Sequence, residues 1–535
     1  HGFCLYIKRT TFNLLGCFDE VYNRSGGSED DFCLRVLGYS LCNIMADDTF
    51  IYHLGNIADV TSQAFNKEIL RQKYPFYRDL IQFYEKNRSV QIWDNIQVKI
   101  RSLRIGLDGR CLDEKFAGNQ RYLIELIKSY TEQATDIKLD LLVSNGRENH
   151  VKNVLDTFGV KHFPNLIEEV TLQGNQKQQI WDIFHITLQG TPMLNLAEVR
   201  PYTKRIIITL QDFILAKNPL YFEDNHWFEY YHLIMQVSLA SVDGVITISD
   251  FIKGQLLEDN TFAKHGNNLI DPERIKTVYH GLNQNYYSTL NLDQAFFQET
   301  GITPKRYLLF VGNDYLHKNL EATVKVFKET RKFGYNYQLV IVGNTIALGG
   351  SKQQLQENLE EDITLKENIF FLNHVSDQEL LNLYRNAGVL LYLSNSEGFG
   401  FPPLEAFAND CPVIASKLTS IPEVAGEGAI YFHPGEIEKI ASTVIKLIED
   451  EKERDREIKK GRKRVQEFDW TKTAKETIDF YYQILRLPTR FQQNLPSLYL
   501  ESQQLQDTQT QLQDTQTQLQ DTQTQLQDTQ TQLQD

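Results

Sequence analysis

Short apolar runs constrain this chain more than any other feature. From Leu103 onward, runs of four to six β-favouring residues alternate with amphipathic helical patterns: "LRIGLD", "NQRYLIELIKSY" and "LDLLVS", then "RIIITL" and "GVITIS". The alternation pauses near Asn283 and restarts at "RYLLFVG" (Arg306–Gly312), continuing through "YQLVIVG", "NIFFLN", "VLLYLS" and "CPVIAS". Runs so short and so uniformly apolar, with helices between them, predict parallel sheets buried on both faces. Two successive sets predict an α/β chain with two doubly wound, Rossmann-like domains and a cleft between them.

The length of 535 residues allows two to four domains, and 41% apolar residues suffice for real cores. A net charge of −15 with no dominant basic stripe argues against nucleic acid as a partner. Short basic clusters such as Lys459–Arg464 ("KKGRKR") could touch a membrane locally, although a solvated helix face balanced by nearby acids is the plainer reading. The six cysteines (Cys4, Cys17, Cys33, Cys42, Cys111, Cys411) form no CxxC pair and no metal-ligand spacing, which suits free thiols in a reducing compartment. No signal peptide and no membrane-spanning apolar run is evident.

Outside the two α/β sets lie two further zones. Residues 1–95 are aromatic-rich and carry four of the six cysteines, with a linker expected over 96–102. From Leu505 the unit "LQDTQTQ" repeats, placing Leu505, Leu512, Leu519, Leu526 and Leu533 seven apart. That period suits a coiled coil, but one strong apolar residue per heptad makes a thin seam. A weak self-associating coil and a disordered tail both remain open for 505–535, after a linker over 491–504. The chain opens at His1 and ends inside a repeat, which leads us to expect a fragment at both ends.

The stretch "SNSEGFGFPPLEAF" (Ser394–Phe407) holds Glu397 and Glu405 either side of a Gly-Pro turn. "VLLYLS" before it reads as a strand, and Pro402 and Pro403 suit the first turn of a helix continued by "LEAFA". Gly398 and Gly400 would let backbone N–H groups approach an anion at that helix start. Glu405, expected in the first turn, can accept two hydrogen bonds from a ribose diol, while Glu397 on the loop can reach a sugar hydroxyl. Favourable acids at a helix N-terminus would explain the pattern equally well. A second stretch, "FVGNDYLHKNLEATVKVF", repeats the logic: a strand, a turn at Gly312, then His317, Lys318 and Asn319 before a helix. Lys318 there is a natural diphosphate partner.

With these motifs, residues 103 to about 486 resemble the family-4 (group 1) retaining glycosyltransferases of the GT-B fold. "EGFGFPPLEA" is similar to that family's Glu-x7-Glu signature, and "VGNDYLHKN" to its donor-phosphate loop. Further matches are "DGRCLDEKFAGNQRY", "WDIFH", "VDGVITISDF", "VYHGLN", "HVSDQELLNLYRNA" and "TSIPEVAGEGAIYF". The resemblance implies an N-terminal acceptor domain over 103–290, a nucleotide-sugar domain over 291–475, and a C-terminal helix over 476–490 packing back on the core. It implies transfer of a sugar from a nucleotide-sugar donor to a glycan or lipid-linked acceptor with retention, without a metal or other cofactor. It implies that Lys318 neutralises the diphosphate, that Glu405 binds the ribose, and that Glu397 binds the transferred sugar. Gly312, His317, Gly398, Phe399 and Gly400 would complete the donor site, with Asp212 beside the chemistry and Gly118 opening the phosphate or acceptor loop. One departure is Gln211, where the family usually has His before Asp212. Gln keeps a hydrogen bond but loses a titratable donor, so the activity is either altered or served by Gln.

Residues 1 to about 75 resemble the second half of a family-2, GT-A-fold glycosyltransferase. Its acidic motif corresponds to Glu29, Asp30 and Asp31 in "SEDDFCLR", and its strand-ending histidine to His53. Clustered carboxylates can make one another a usable base, yet Ser28 followed by three acids is also a good helix start. The nucleotide-binding half has no counterpart before His1, so this piece alone is expected to bind no donor and to derive from a second transferase fused in tandem. The leading expectation is a cytoplasmic enzyme building a polysaccharide or lipopolysaccharide, with peripheral association at the inner face of the membrane left open. A catalytically inactive GT-B scaffold is the alternative from another class, and a phosphorylase or sugar-nucleotide epimerase a further one.

Overall fold

The computed structural model describes Lys73 and residues 103–113, 118–133, 137–169, 180–187, 189, 196–222, 225–258, 270–283, 294–344, 365, 367–373 and 375–490. The expectations for Glu29, Asp30, Asp31 and His53, and for the heptad repeats from Leu505, lie outside these residues. The compact unit that begins at Leu103 holds two parallel sheets.

The first sheet contains β1 (Leu103–Asp108), β2 (Ile137–Val143), β3 (Asn165–Glu168), β4 (Trp181–Ile186), β5 (Thr203–Leu210), β6 (Gly244–Thr247) and β7 (Ile275–Thr277), in the order β3-β2-β1-β4-β5-β6-β7. The second contains β8 (Tyr307–Val311), β9 (Gln338–Val342), β10 (Ile369–Leu372), β11 (Val389–Tyr392), β12 (Val413–Ser416) and β13 (Ala429–Phe432), in the order β10-β9-β8-β11-β12-β13. Every pairing is parallel; Leu103 faces Ile137, Ile105 faces Ile183, and Val389 faces Leu308. Each sheet therefore reverses its strand order once, between β1 and β4 and between β8 and β11.

The apolar runs form central strands because both faces are covered. Tyr307 and Leu309 of β8 join one buried cluster, while Leu308 and Phe310 join another on the opposite face. In β11, Leu390 and Tyr392 divide from Val389 and Leu391 in the same way. Period-2 geometry sends alternate side chains to opposite faces, so a strand apolar at every position must be buried twice. The cluster that holds Tyr307 and Tyr392 also contains Trp181 and Phe184, and thus continues from the second domain into the first.

The chain returns to the first domain at its end. The helix Trp470–Arg486, which begins six residues before the expected 476, packs against the helix Gly118–Gln133. A Cβ on Gly281 would stand 2.2 Å from the Trp470 nitrogen, so only glycine permits this approach. The contact is also polar: Tyr130 donates to the Tyr481 hydroxyl at 3.0 Å, which meets His185 Nδ1 at 2.6 Å, while His185 Nε2 meets Thr209 Oγ1 at 2.7 Å. Buried polar groups joined in a chain like this fix one docking register, because any other leaves several of them unpaired.

Candidate active site between the two domains

β8 and β11 end side by side at the point where the second sheet reverses, the place where open α/β sheets bind ligands. The loop after β8 passes through Gly312 (φ 149°) and a single turn, Leu316–Lys318, before the helix Leu320–Lys332. Asn319, at φ 55°, caps that helix through Oδ1 to the Ala322 nitrogen, and its Nδ2 donates to the Leu393 carbonyl at 3.1 Å. One asparagine thereby ties the β8 loop to the β11 loop and fixes Lys318 between them.

Across this junction the Lys318 ammonium donates to both oxygens of Glu397, at 2.8 and 2.9 Å. The Glu397 side chain is 7% exposed and that of Lys318 is 19%, so the cation still opens to the cleft. Burial pushes the Glu397 carboxyl up. The Lys318 charge and hydrogen bonds, helped by His317 and Ser394, outweigh burial and hold it below the usual glutamate value. The turn that presents Glu397 is stitched in place: its nitrogen donates to Thr419 Oγ1 at 3.1 Å, and Ser420 Oγ donates to its carbonyl at 2.9 Å.

The glycines of this turn do something other than expected. Gly398 is buried against the first domain: a Cβ there would lie 1.9 Å from the Gln211 carbonyl oxygen. Ser249 Oγ donates to the Gly398 carbonyl at 2.7 Å. This glycine permits domain contact and leaves no open cradle at its own position. Gly400, at φ 97°, starts the helix Phe401–Ala408 in a conformation side chains rarely adopt. Phe399 is 4% exposed and packs among His280, Phe401 and Phe468, so its side chain is core and faces no ligand. Glu405 lies in the second turn of the helix rather than the first, because the helix already begins at Phe401. Its carboxylate accepts from the Tyr384 hydroxyl at 2.9 Å and from Arg121 Nη1, on the first domain, at 3.3 Å.

The first domain supplies Gln211 and Asp212 just beyond β5. Gln211 is tied inward, accepting from His280 Nε2 at 3.1 Å and donating to the Thr187 carbonyl at 3.2 Å. The His280 ring, buried and stacked 5.3 Å from Phe401, is held neutral by burial, with its pKa lowered to about 3. Gln211 suits a neutral histidine donating from Nε2, because its side-chain oxygen accepts that bond while its amide donates to Thr187. Asp212 accepts from the Ile214 nitrogen at 2.8 Å, yet burial and the nearby Glu397 charge raise its pKa above the ordinary value. His317 bridges the domains through Nδ1 to the Tyr221 hydroxyl at 2.8 Å; burial and the adjacent Lys318 lower its pKa to about 4. Beside it a cavity of about 270 Å³ opens between Phe213, Asn218 and Tyr221 of the first domain and His317, Asn395 and Ser396 of the second.

Lys318, Glu397, Asp212, His317 and Gly312 thus converge on one cleft, with Glu405 reached from the first domain by Arg121. Gly118 is the first residue of the helix that carries Arg121. Arg121, Tyr384 and Tyr221 were not singled out in the sequence. Arg121 stands three positions after Gly118 in a quoted motif, but its partner is 284 residues away, and nothing local announces such a pair. Among the described residues no cluster of three or more His, Cys, Asp or Glu is arranged to hold a metal ion.

Comparison with known proteins points to one class of enzyme. Residues 293–464 match the family model described as "Glycosyl transferases group 1". The O-antigen chain mannosyltransferase RfbU of Salmonella typhimurium is 28% identical over 302 residues, 55% of this chain and 77% of that protein. The O-antigen chain mannosyltransferase B of Escherichia coli is 25% identical over 283 residues, 52% of this chain and 70% of its own length. Among solved structures, Anabaena HepE in complex with UDP and glucose aligns with a TM-score of 0.52 at 18% identity, covering 71% of this chain and 99% of that one. Sucrose-phosphate synthase from Thermosynechococcus elongatus aligns with a TM-score of 0.54 at 17% identity, over 71% and 98%. At such identities the structures speak for the fold alone.

Proposed function

We propose that this chain, a glycosyltransferase carrying a group 1 domain, moves a sugar from a nucleoside diphosphate donor to a glycan or lipid-linked acceptor, with retention at the anomeric carbon. The product belongs to a polysaccharide or lipopolysaccharide, and the names of the relatives favour mannose as the sugar transferred. The observation that carries this reading is the Lys318–Glu397 pair at the strand-order reversal, open to a cleft walled by both domains.

Lys318 meets the donor diphosphate, whose leaving oxygen gathers negative charge as the sugar departs; a fixed cation in a water-poor cleft stabilises that charge. Glu397, freed from the ammonium, accepts from the sugar hydroxyls, and Glu405 accepts from the ribose. The acceptor enters by the cavity beside Tyr221 and His317 and attacks on the face the phosphate leaves, the phosphate taking the proton. Asp212, its carboxyl shifted towards the protonated form, borders the sugar. With a lipid-linked acceptor the enzyme works as a peripheral protein at the inner face of a membrane; no described helix is long and apolar enough to cross one.

The test is acceptor-dependent release of nucleoside diphosphate from a panel of GDP-, UDP- and ADP-sugars. One donor should react only when acceptor is present. Lys318→Ala should lower kcat about 100- to 1,000-fold, and Glu405→Ala should act mainly on KM. Lys318 is also the counter-ion of a buried carboxylate, so its variant should melt earlier as well. Silence from every donor, or wild-type rates in both variants, would overturn the assignment.

A further inference from the structure

Two acids of the second domain are each held by a cation. Glu397 is held by Lys318 from its own domain, and Glu405 by Arg121 from the other. The two pairs are neighbours around one ring. Tyr392 lies 5.9 Å from the Lys318 ammonium, and its hydroxyl is 3.2 Å from where a Cβ on Gly400 would stand. Both Glu397 and Glu405 act electrostatically on its buried phenol.

Each of these two cations is engaged by a carboxylate, so neither offers a diphosphate its full charge until that carboxylate is displaced. Lys318 gains its charge for the donor only by leaving Glu397. The same logic holds on the other side. A ribose diol that donates to Glu405 competes directly with Arg121, whose guanidinium makes a 3.3 Å bond there and whose side chain remains 29% exposed. A guanidinium displaced from a carboxylate beside a diphosphate finds in it an acceptor that matches its fork. Arg121 also belongs to the first helical turn after Gly118, and its bond to Glu405 joins that turn to the second domain.

We propose that Arg121 is a diphosphate-binding residue held in reserve by Glu405: the donor's ribose takes the carboxylate, and the guanidinium passes to the phosphate oxygens. The step exchanges one ion pair for another and breaks no covalent bond. It makes recognition of base-plus-ribose and recognition of the diphosphate interdependent, since each completes only when the other has occurred. It also draws the first domain onto the donor bound by the second. The inference rests on the donor reading given above.

Calorimetric titration separates the possibilities. Wild type, Arg121→Met and Arg121→Lys are titrated with GDP, UDP and ADP and with guanosine, uridine and adenosine. For the base that wild type prefers, Arg121→Met should weaken the diphosphate about 10- to 100-fold and leave the nucleoside unchanged or tighter, because the ribose then competes with no guanidinium for Glu405. Arg121→Lys, which keeps the charge but not the fork, should fall between. If Arg121 is only a clasp between domains, diphosphate and nucleoside will weaken in the same proportion, and the proposal fails. It fails equally if neither changes. Wild type that binds none of the three diphosphates overturns the donor reading itself, and this inference with it.

Discussion

Gln211 and His280 show how a buried polar pair is held by its neighbours. The imidazole is surrounded by Tyr122, Phe399, Phe401 and Trp470 and has no room for a counter-ion. Burial therefore keeps it neutral, as it does His185 in the polar chain under the C-terminal helix; both have pKa values near 3. The consequence for stability has a definite sign. Between an ordinary histidine value and about 3, the unfolded chain takes up protons that the folded chain refuses. Each histidine thus stabilises the fold at neutral pH, and that contribution drains away as pH falls through this window, by about 1.4 kcal/mol per pH unit per group. Glu397, held below its ordinary value, adds a loss of the same direction at lower pH. Urea unfolding of wild type and His280→Gln at about pH 5.5 and about pH 4.5 should show the variant losing one proton's worth less stability across that step. Equal losses would mean that His280 is charged in the folded protein.

At the scale of elements, the strands legible in the sequence are those whose burial on both faces leaves a mostly apolar run. β1 occupies the whole of "LRIGLD", and β8, β9, β11 and β12 fall within the quoted runs. Those that escaped carry mixed burial or little length: β3 (Asn165–Glu168), partly exposed at the sheet edge, and β7, with three residues. β4 and β13 were quoted only within the motifs "WDIFH" and "TSIPEVAGEGAIYF"; in β4 the polar Asp182 and His185 hide a strand buried throughout. The candidate site was legible where a residue announces itself in its own turn, as Lys318 and Glu397 do. It was illegible where two domains meet, because a glycine's neighbour or an arginine's partner hundreds of positions away leaves no local trace. Gly398 shows the difference. Its sequence context suggests an anion loop, whereas the fold uses it to let one loop touch the Gln211 backbone of the other domain. Gly398→Ala should therefore act on domain approach. With a Cβ 1.9 Å from a carbonyl oxygen, the loop carrying Glu397 must retreat, and a displacement of that order costs about 100-fold in rate. The overpacking should cost about 1–3 kcal/mol in stability. Turnover within a few-fold of wild type would show that the contact plays no part in forming the active arrangement.

At the scale of the molecule, two kinds of joint hold the domains. One is permanent: the Trp470–Arg486 helix buries Phe480, Tyr481 and Ile484 on the first domain, and the segment after it is tied to Asp243 through Thr489 and the Arg490 nitrogen. The other is made of contacts across the cleft, apolar ones such as Phe399 against His280 and polar ones between single groups. Glu423 is the clearest of these. From the second domain its carboxylate accepts from the Asp250 and Phe251 nitrogens, at 2.5 and 2.9 Å, and so caps the helix Asp250–Glu258 of the first. A helix start exposes unpaired N–H groups and a partial positive charge, which a carboxylate satisfies wherever on the chain it comes from. Opening the cleft would strip that cap, so the cap biases the molecule towards closure by about 0.5–2 kcal/mol. Glu423 touches none of the groups assigned to the donor. Glu423→Ala should accordingly leave kcat near wild type, because the chemistry takes place in the closed form however seldom it is reached unaided. The donor must then supply the lost bias from its own binding energy, which raises KM about tenfold for a shift near 1.4 kcal/mol. Small-angle scattering of the donor-free variant should give a larger radius of gyration than wild type, and saturating nucleoside diphosphate should restore it. A variant with unaltered KM and an unaltered radius would show that the cap merely decorates two domains already fixed by the C-terminal helix.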